Sequence, residues 1–184
     1  MPLPPTTPHD DNRYVLITPA RNEAATIGDT IESVVNQTLL PQKWVIVSDN
    51  SSDQTDDIVR RYQALYPFIH LIRREDDGQR DFGSKVRAIN QAYGCFKDMT
   101  FAYVGNLDAD VTFAPPYFQT LLQRFETNPR LGIAGGVTYD FYDGVPHERH
   151  ASLDSVGGAV QLFRRECYEQ VGGYCPLPYG SEDA

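Results

Sequence analysis

Apolar positions along this chain follow two alternating periods. Arg13 to Thr18 (RYVLIT) is a short β-rich run. Ala24, Ile27, Ile31 and Val34 then recur at helical spacing, with Asn22 placed as the cap. Trp44 to Val47 (WVIV) is continuously apolar, as in a strand buried on both faces. Ile58, Tyr62 and Leu65 mark a second helix that Pro67 ends. Phe68 to Ile72 is a third strand, and Val86, Ile89, Tyr93 and Phe96 a third helix. Phe101 to Val104 is a fourth strand. Phe118, Leu121, Leu122 and Phe125 form a fourth helix behind Pro115-Pro116, a favourable helix start. Past Pro129 the pattern changes. Ile133 to Phe141 and Gly157 to Phe163 read as glycine-interrupted strands with no full helix between them. Tyr142 to Ser155 reads as a polar connection. The alternation predicts an α/β fold: a Rossmann-like, mainly parallel sheet flanked by helices.

Polar signatures fall where the predicted strands end. They are Pro19-Ala20-Arg21-Asn22-Glu23, Ser48-Asp49-Asn50-Ser51-Ser52-Asp53 and Asp108-Ala109-Asp110, with Ser181-Glu182-Asp183 near the end of the chain. Open α/β sheets bind ligands at the carboxyl ends of their strands. Asp-x-Asp on an extended segment puts both carboxylates on one side, where oxygen ligands suit Mg²⁺ or Mn²⁺. Asp49, just past a buried strand, can accept the N3–H of uracil, and also a guanine N–H. Capping explains Ser52 or Asp53 but comes too late in the turn to explain Asp49. Asn50 tolerates a left-handed backbone. Glu23 at a helix head favours the dipole. Lys85, at a helix start preceded by Gly83, can hold an anion.

Composition narrows the partners. The chain has 184 residues, enough for one well-buried domain, and a net charge of −9, which argues against a nucleic-acid partner. An acidic chain binds a nucleotide diphosphate when a divalent cation bridges the like charges. No apolar run approaches the ~18 residues of a membrane span. Residues 1–12, with four prolines, read as a disordered leader. Cys95, Cys167 and Cys175 include no Cys-x-x-Cys pair and read as buried thiols of a reducing cytosol, with a Cys167–Cys175 disulfide as the alternative. His147 and His150, with Glu148 and Asp154 nearby, could in principle form a second metal site; a polar loop facing acceptor or solvent is the simpler reading.

Taken together, the ordered signatures resemble the family 2 glycosyltransferases, which have a GT-A fold, from about Tyr14 to Asp183. Ser48-Asp49-Asn50-Ser51 stands where that family shows Asp-Asp-Gly-Ser. Gly83-Ser84-Lys85-Val86-Arg87-Ala88-Ile89-Asn90 is similar to its Gly-Lys-x-x-Ala-Leu-Asn segment. Gly172-Gly173-Tyr174 before Glu182-Asp183 is similar to its Gly-Gly-Phe before an acid pair. The resemblance implies that residues 13–184 are one glycosyltransferase domain: 13–130 a nucleotide-sugar-binding half and 131–184 the start of an acceptor-binding half. It implies a nucleotide-diphospho-sugar donor and a saccharide or lipid-linked acceptor, with inversion at the anomeric carbon. Pro19, Ala20, Arg21 and Glu23 would lie against base and ribose, with Asp49 on the base. Lys85 would lie near phosphate. Asp110 would bind the metal, with Asp108 on metal or sugar. Asp183 would be the general base, with Glu182 beside it. Family members normally continue past the acid pair, sometimes with membrane-associated segments. This chain ends at Ala184 and so reads as truncated, with a cytoplasmic setting or the inner membrane face expected. Two rival readings are a non-catalytic nucleotide-sugar-binding module and a sugar-nucleotide pyrophosphorylase. The second would want glycines in the loop at Pro19-Ala20-Arg21-Asn22.

Overall fold

β1 (Tyr14–Ala20) and β2 (Lys43–Asp49) form where the two apolar runs predict them. They belong to a computed structural model that describes residues 13–75, 83–149 and 155–175. The leader at 1–12, His150, Asp154 and the Glu182-Asp183 pair lie outside the described residues. Successive side chains of a strand point to opposite faces, and here both faces are apolar. Tyr14, Leu16, Trp44 and Ile46 pack on one side; Val15, Ile17, Val45 and Val47 pack on the other. Such strands are stable only when helices cover both faces. α1 (Ile27–Val35), α2 (Thr55–Leu65) and α4 (Tyr117–Thr127) cover the first face; α3 (Gly83–Gly94) and α5 (Arg165–Val171) cover the second.

The main sheet also contains β3 (Ile69–Arg74), β4 (Tyr103–Leu107), β5 (Ile133–Ala134) and β8 (Val160–Arg164), in the order β3-β2-β1-β4-β8-β5. The first four are parallel; β8 runs antiparallel to both β4 and β5. Strand order therefore reverses between β1 and β4, the position where open α/β sheets form a ligand crevice. The β1–β4 ladder ends at Ile17↔Asn106, while β1–β2 continues to Ala20↔Ser48. Pro19, with no N–H to donate, sits where the two ladders part. Among the described residues no helix is long and apolar enough to cross a membrane.

Three expectations about these elements need correction, and one helix was not anticipated. The polar connection after Tyr142 is a hairpin of β6 (Tyr139–Tyr142) and β7 (Val145–Glu148). Its turn is Asp143-Gly144, with φ of 51° and 78°, the mirror-image turn that suits strand twist. A helix, α5, follows β8 directly and ends at Gly172 and Gly173, both with positive φ. Asn22 does not cap α1, whose N-cap is Thr26; it turns the chain with φ 58°. The cysteines are free, but Cys95 and Cys175 are exposed and Cys167 is half-buried, so the buried-thiol reading fails together with the disulfide.

The α4 face of the core rests on one aromatic cluster. Phe118 is fully buried, stacks on Tyr14 at 4.9 Å, and meets Phe113 and Tyr117 edge-on at 5.4 and 5.3 Å. Phe118→Ala should lower unfolding stability by about 3–5 kcal/mol in urea titrations at unchanged m. A loss below about 1 kcal/mol would show that this cluster does not hold α4 to the sheet.

Candidate functional site

The loops after β1 and β2 are tied to each other. The Asn22 N–H donates to Ser51 Oγ (3.1 Å), the Glu23 N–H to Thr55 Oγ1 (2.8 Å) and the Ala24 N–H to Asp53 Oδ2 (3.0 Å). In return the Ser52 N–H donates to Asn22 Oδ1 (2.8 Å). Much of the Ser51-Ser52-Asp53 stretch thus satisfies backbone donors that a tight turn would otherwise leave unpaired. Asp53 Oδ1 also accepts the Thr55 hydroxyl and N–H, at 2.5 and 3.0 Å. The Thr55 hydroxyl, then the backbone donors, hold the Asp53 carboxyl below its ordinary pKa. Glu23 Oε2 accepts the Thr26 hydroxyl at 3.1 Å. At the end of β1 Pro19 is half-buried and Ala20 buried, and Arg21 just past it is half-buried.

Asp49 ends β2 and is buried. Its Oδ2 accepts the Ser84 hydroxyl at 2.5 Å, and its Oδ1 lies 3.7 Å from Arg74 Nη1. Arg74 Nη1 donates to the Ser84 carbonyl at 3.1 Å, and the Arg74 carbonyl accepts the Asn50 N–H at 2.9 Å. Asn50 has φ 56°, the left-handed conformation that an Asn at this position accommodates. Asp49 Oδ1 makes no hydrogen bond although it is buried. A buried carboxylate oxygen without a donor is costly, so a ligand N–H there would gain what the protein leaves unmade. Sequence reasoning missed Arg74. The available signal was Arg73-Arg74 at a strand end in an acidic chain.

β4 ends at Leu107, so Asp108-Ala109-Asp110 forms a turn and not the extended segment expected. The turn is fixed from both sides. The Asp108 N–H donates to the Ala159 carbonyl, and the Thr30 hydroxyl donates to the carbonyl of buried Ala109, each at 2.9 Å. Lys85 Nζ lies 3.0 Å from Asp108 Oδ1, both partly buried. Asp110 is exposed. Among the described residues no three His, Cys, Asp or Glu side chains group together. At this turn the described residues thus offer a metal the two carboxylates of Asp108 and Asp110. Mg²⁺ is commonly held in that way, by one or two carboxylates with phosphate oxygens and water, so the donor set fits a cation that arrives with a diphosphate. Among the described residues His147 joins no such group, and its ring meets Tyr142 edge-on at 5.4 Å; His150 and Asp154 lie outside the described residues.

Comparison with known proteins decides the family. The model described as "Glycosyl transferase family 2" matches residues 15–175. The chain belongs to glycosyl transferase family 2. Poly-β-1,6-N-acetyl-D-glucosamine synthase of Staphylococcus epidermidis is 30% identical over 173 residues, covering 82% of this chain and 39% of that protein. The same-named synthase of Staphylococcus aureus strain COL is 31% identical over 117 residues, 62% of this chain and 26% of that protein. The chain therefore spans well under half the length of these relatives. Its GT-A fold is shared with a mannosyltransferase of Pyrobaculum calidifontis solved with GDP-Man and Mn²⁺, at TM-score 0.65 and 23% identity over 93% of this chain and 49% of that one. It is shared also with S. aureus TarS 1-349 solved with UDP, at TM-score 0.68 and 16% identity over 93% and 52%.

In this family 2 chain the Gly172-Gly173-Tyr174 signature is anchored beside β4. The Tyr174 hydroxyl donates to buried Gln161 Oε1, and Gln161 pairs with Asn106. The acid pair that follows lies outside the described residues.

The loop ties can be tested by pH. Asp53 has a lowered folded pKa, so its contribution is present above the ordinary Asp value near 3.9 and is lost as pH falls through the folded value. Asp53→Asn should therefore be less stable than the parent at about pH 6, with the difference closing toward about pH 2. A constant difference across urea titrations at both pH values would rule out the ionised carboxylate as the tie.

Proposed function

We propose that this chain transfers a sugar from a nucleotide-diphospho-sugar, a UDP-sugar by preference, to an acceptor hydroxyl with inversion and with a divalent cation. The observation that carries the reading is the pair of carboxylate positions flanking β1 at the crevice. Asp49 ends β2 with an oxygen short of a donor. Asp108 and Asp110 follow β4, with Lys85 on Asp108. β2 and β4 lie two strand spacings apart, about 10 Å, a span that suits a base at one end and a diphosphate at the other.

On this reading Asp49 accepts the N–H of the base, and Pro19, Ala20, Arg21 and Glu23 border base and ribose. Arg74 and Ser84 hold the Asp49 carboxylate in place. Lys85 turns from Asp108 to the diphosphate when donor enters. Asp110, helped by Asp108, would hold Mg²⁺ or Mn²⁺, which when bound neutralises the leaving diphosphate. Asp183 takes the proton from the acceptor hydroxyl as it attacks, with Glu182 beside it. Residues 13–130 then serve the donor and residues from 131 begin the acceptor side. The relatives named as synthases of a β-linked N-acetylglucosamine polymer support a saccharide acceptor. A β linkage is also what one displacement on an α-linked donor yields.

Calorimetry with UDP tests the donor site. Binding should require Mn²⁺ or Mg²⁺ and vanish in EDTA. Asp110→Ala should weaken it far more than Asp57→Ala, an exposed position of α2. Asp49→Ala should cost UDP about tenfold or more, the worth of one buried hydrogen bond, and leave inorganic diphosphate unaffected. Equal UDP affinity in EDTA and in Mn²⁺ would sink the assignment.

Transfer tests the base. In the full-length protein Asp183→Asn should keep UDP affinity and lose about 10²–10⁴-fold in rate. Transfer at the parental rate would place the base elsewhere, with Glu182 the next to substitute.

A further inference from the structure

The β6–β7 hairpin contributes nothing to the core. Val137, Tyr139, Phe141, Tyr142 and Val145 are all exposed, and an exposed cluster of large apolar side chains marks a contact surface. Its position ties it to the site. β5 is antiparallel to β8, which is antiparallel to β4, so β5 runs with β4 and leaves the sheet at the edge that carries Asp108. A Cβ on Gly135 would lie 2.5 Å from the Val160 carbonyl oxygen, and the Gly136 N–H donates to the Tyr117 hydroxyl at 2.8 Å. The entrance to the hairpin is thus pressed onto β8 and the start of α4. The Tyr117 ring in turn packs, tilted, at 5.0 Å against Phe113, three residues past Asp110.

The two faces of the hairpin differ. Register pairs Asp140 with His147 and Tyr142 with Val145 on one face, and Tyr139 with Glu148 and Phe141 with Pro146 on the other. The Arg149 N–H bonds the Thr138 carbonyl, which extends the first face, and Arg149 Nε lies 2.9 Å from Asp140 Oδ2. Asp140, by hydrogen bond and charge, holds the Arg149 guanidinium above its ordinary pKa, with smaller contributions from Tyr142 and Asp110.

We propose that the face bearing Asp140, Tyr142, His147 and Arg149 is a saccharide subsite, where a pyranose ring of the acceptor lies on Tyr142 while Asp140 and Arg149 bond its hydroxyls. The word acceptor rests on the transfer reading above; the saccharide contact does not. The electron-rich face of a tyrosine ring attracts the polarised C–H groups on one side of a sugar. A carboxylate beside a guanidinium offers an acceptor and a fork of donors to adjacent hydroxyls. Charge disfavours other occupants. From 137 to 149 the hairpin carries Asp140, Asp143 and Glu148 against Arg149. That excess repels an anionic lipid surface and a second copy of a chain whose net charge is −9.

The test uses the full-length protein and a panel of neutral oligosaccharides that includes β-1,6-linked N-acetylglucosamine oligomers, titrated without donor by ¹⁵N NMR. Shifts should concentrate at 140–149. Tyr142→Ala should weaken saccharide binding about tenfold or more, Asp140→Asn should weaken it too, and UDP–Mn²⁺ affinity should not change. Phe141→Ala, on the opposite face, should leave saccharide binding as in the parent. No oligosaccharide binding, or parental binding by Tyr142→Ala, would overturn the proposal. So would a hairpin whose variants alter only vesicle binding or self-association. Failure to bind UDP would instead sink the transfer reading and leave the donor-free saccharide measurement standing.

Discussion

β1 is hydrogen-bonded along both edges and buried on both faces, and the rest of the molecule follows from that. Such a strand tolerates no exposed polar group along its length, so polar chemistry collects where it ends. Pro19 withdraws a donor at the point where the ladder to β4 has stopped and the ladder to β2 continues. The two neighbours diverge there, and the loops after β1, β2 and β4 reach the same crevice.

Holding the carboxylates there is the next requirement, and the start of α3 meets it with consecutive residues. Ser84 serves Asp49 at the end of β2, and Lys85 serves Asp108 just past β4. One helix start thereby spans the crevice across β1. The two contacts differ in strength. Asp49 and Ser84 are buried, so losing either leaves a desolvated polar group. Lys85 and Asp108 are each about one-third exposed, and a pair so placed is worth roughly 1 kcal/mol or less. On the proposed reading the fixed contact would lie at the base end and the exchangeable one at the phosphate end, as admitting and releasing a charged donor requires.

The region after α4 is attached by a different device. Arg164 on β8 donates to the carbonyls of Phe125, Asn128 and Leu131 and lies over the rings of Phe125 and Tyr103, at 5.2 and 5.7 Å from their centroids. A cation at the end of α4 satisfies carbonyls that the helix cannot and locks β8 in its antiparallel place beside β4. Ala159, just before β8, then supplies the carbonyl that holds Asp108, and β5, paired with β8, leaves the sheet at the edge that carries Asp108.

The α/β fold and the strand-end acids were legible in the sequence because both are local signals. Continuous apolar runs predict two-sided burial, helical spacing predicts the covering helices, and acids past a strand end have few other places to go. Asp49, Lys85, Asp108 and the left-handed Asn50 could all be named in this way. The Asp143-Gly144 hairpin was equally local, and was passed over because a polar stretch resembles a loop until its turn dipeptide is weighed. What the tertiary structure alone decided depends on partners far apart in the chain. Asn22 turns because Ser51 and Ser52, 29 and 30 residues away, bond it; by spacing alone it looked like a cap. Arg74 stands beside Asp49 only because β3 pairs with β2. Lys85 meets Asp108 only because α3 crosses the sheet to the far side of β1. Periodicity reports which face of an element is buried. Which elements meet, and so which charge finds which, follows from the packing of the whole sheet.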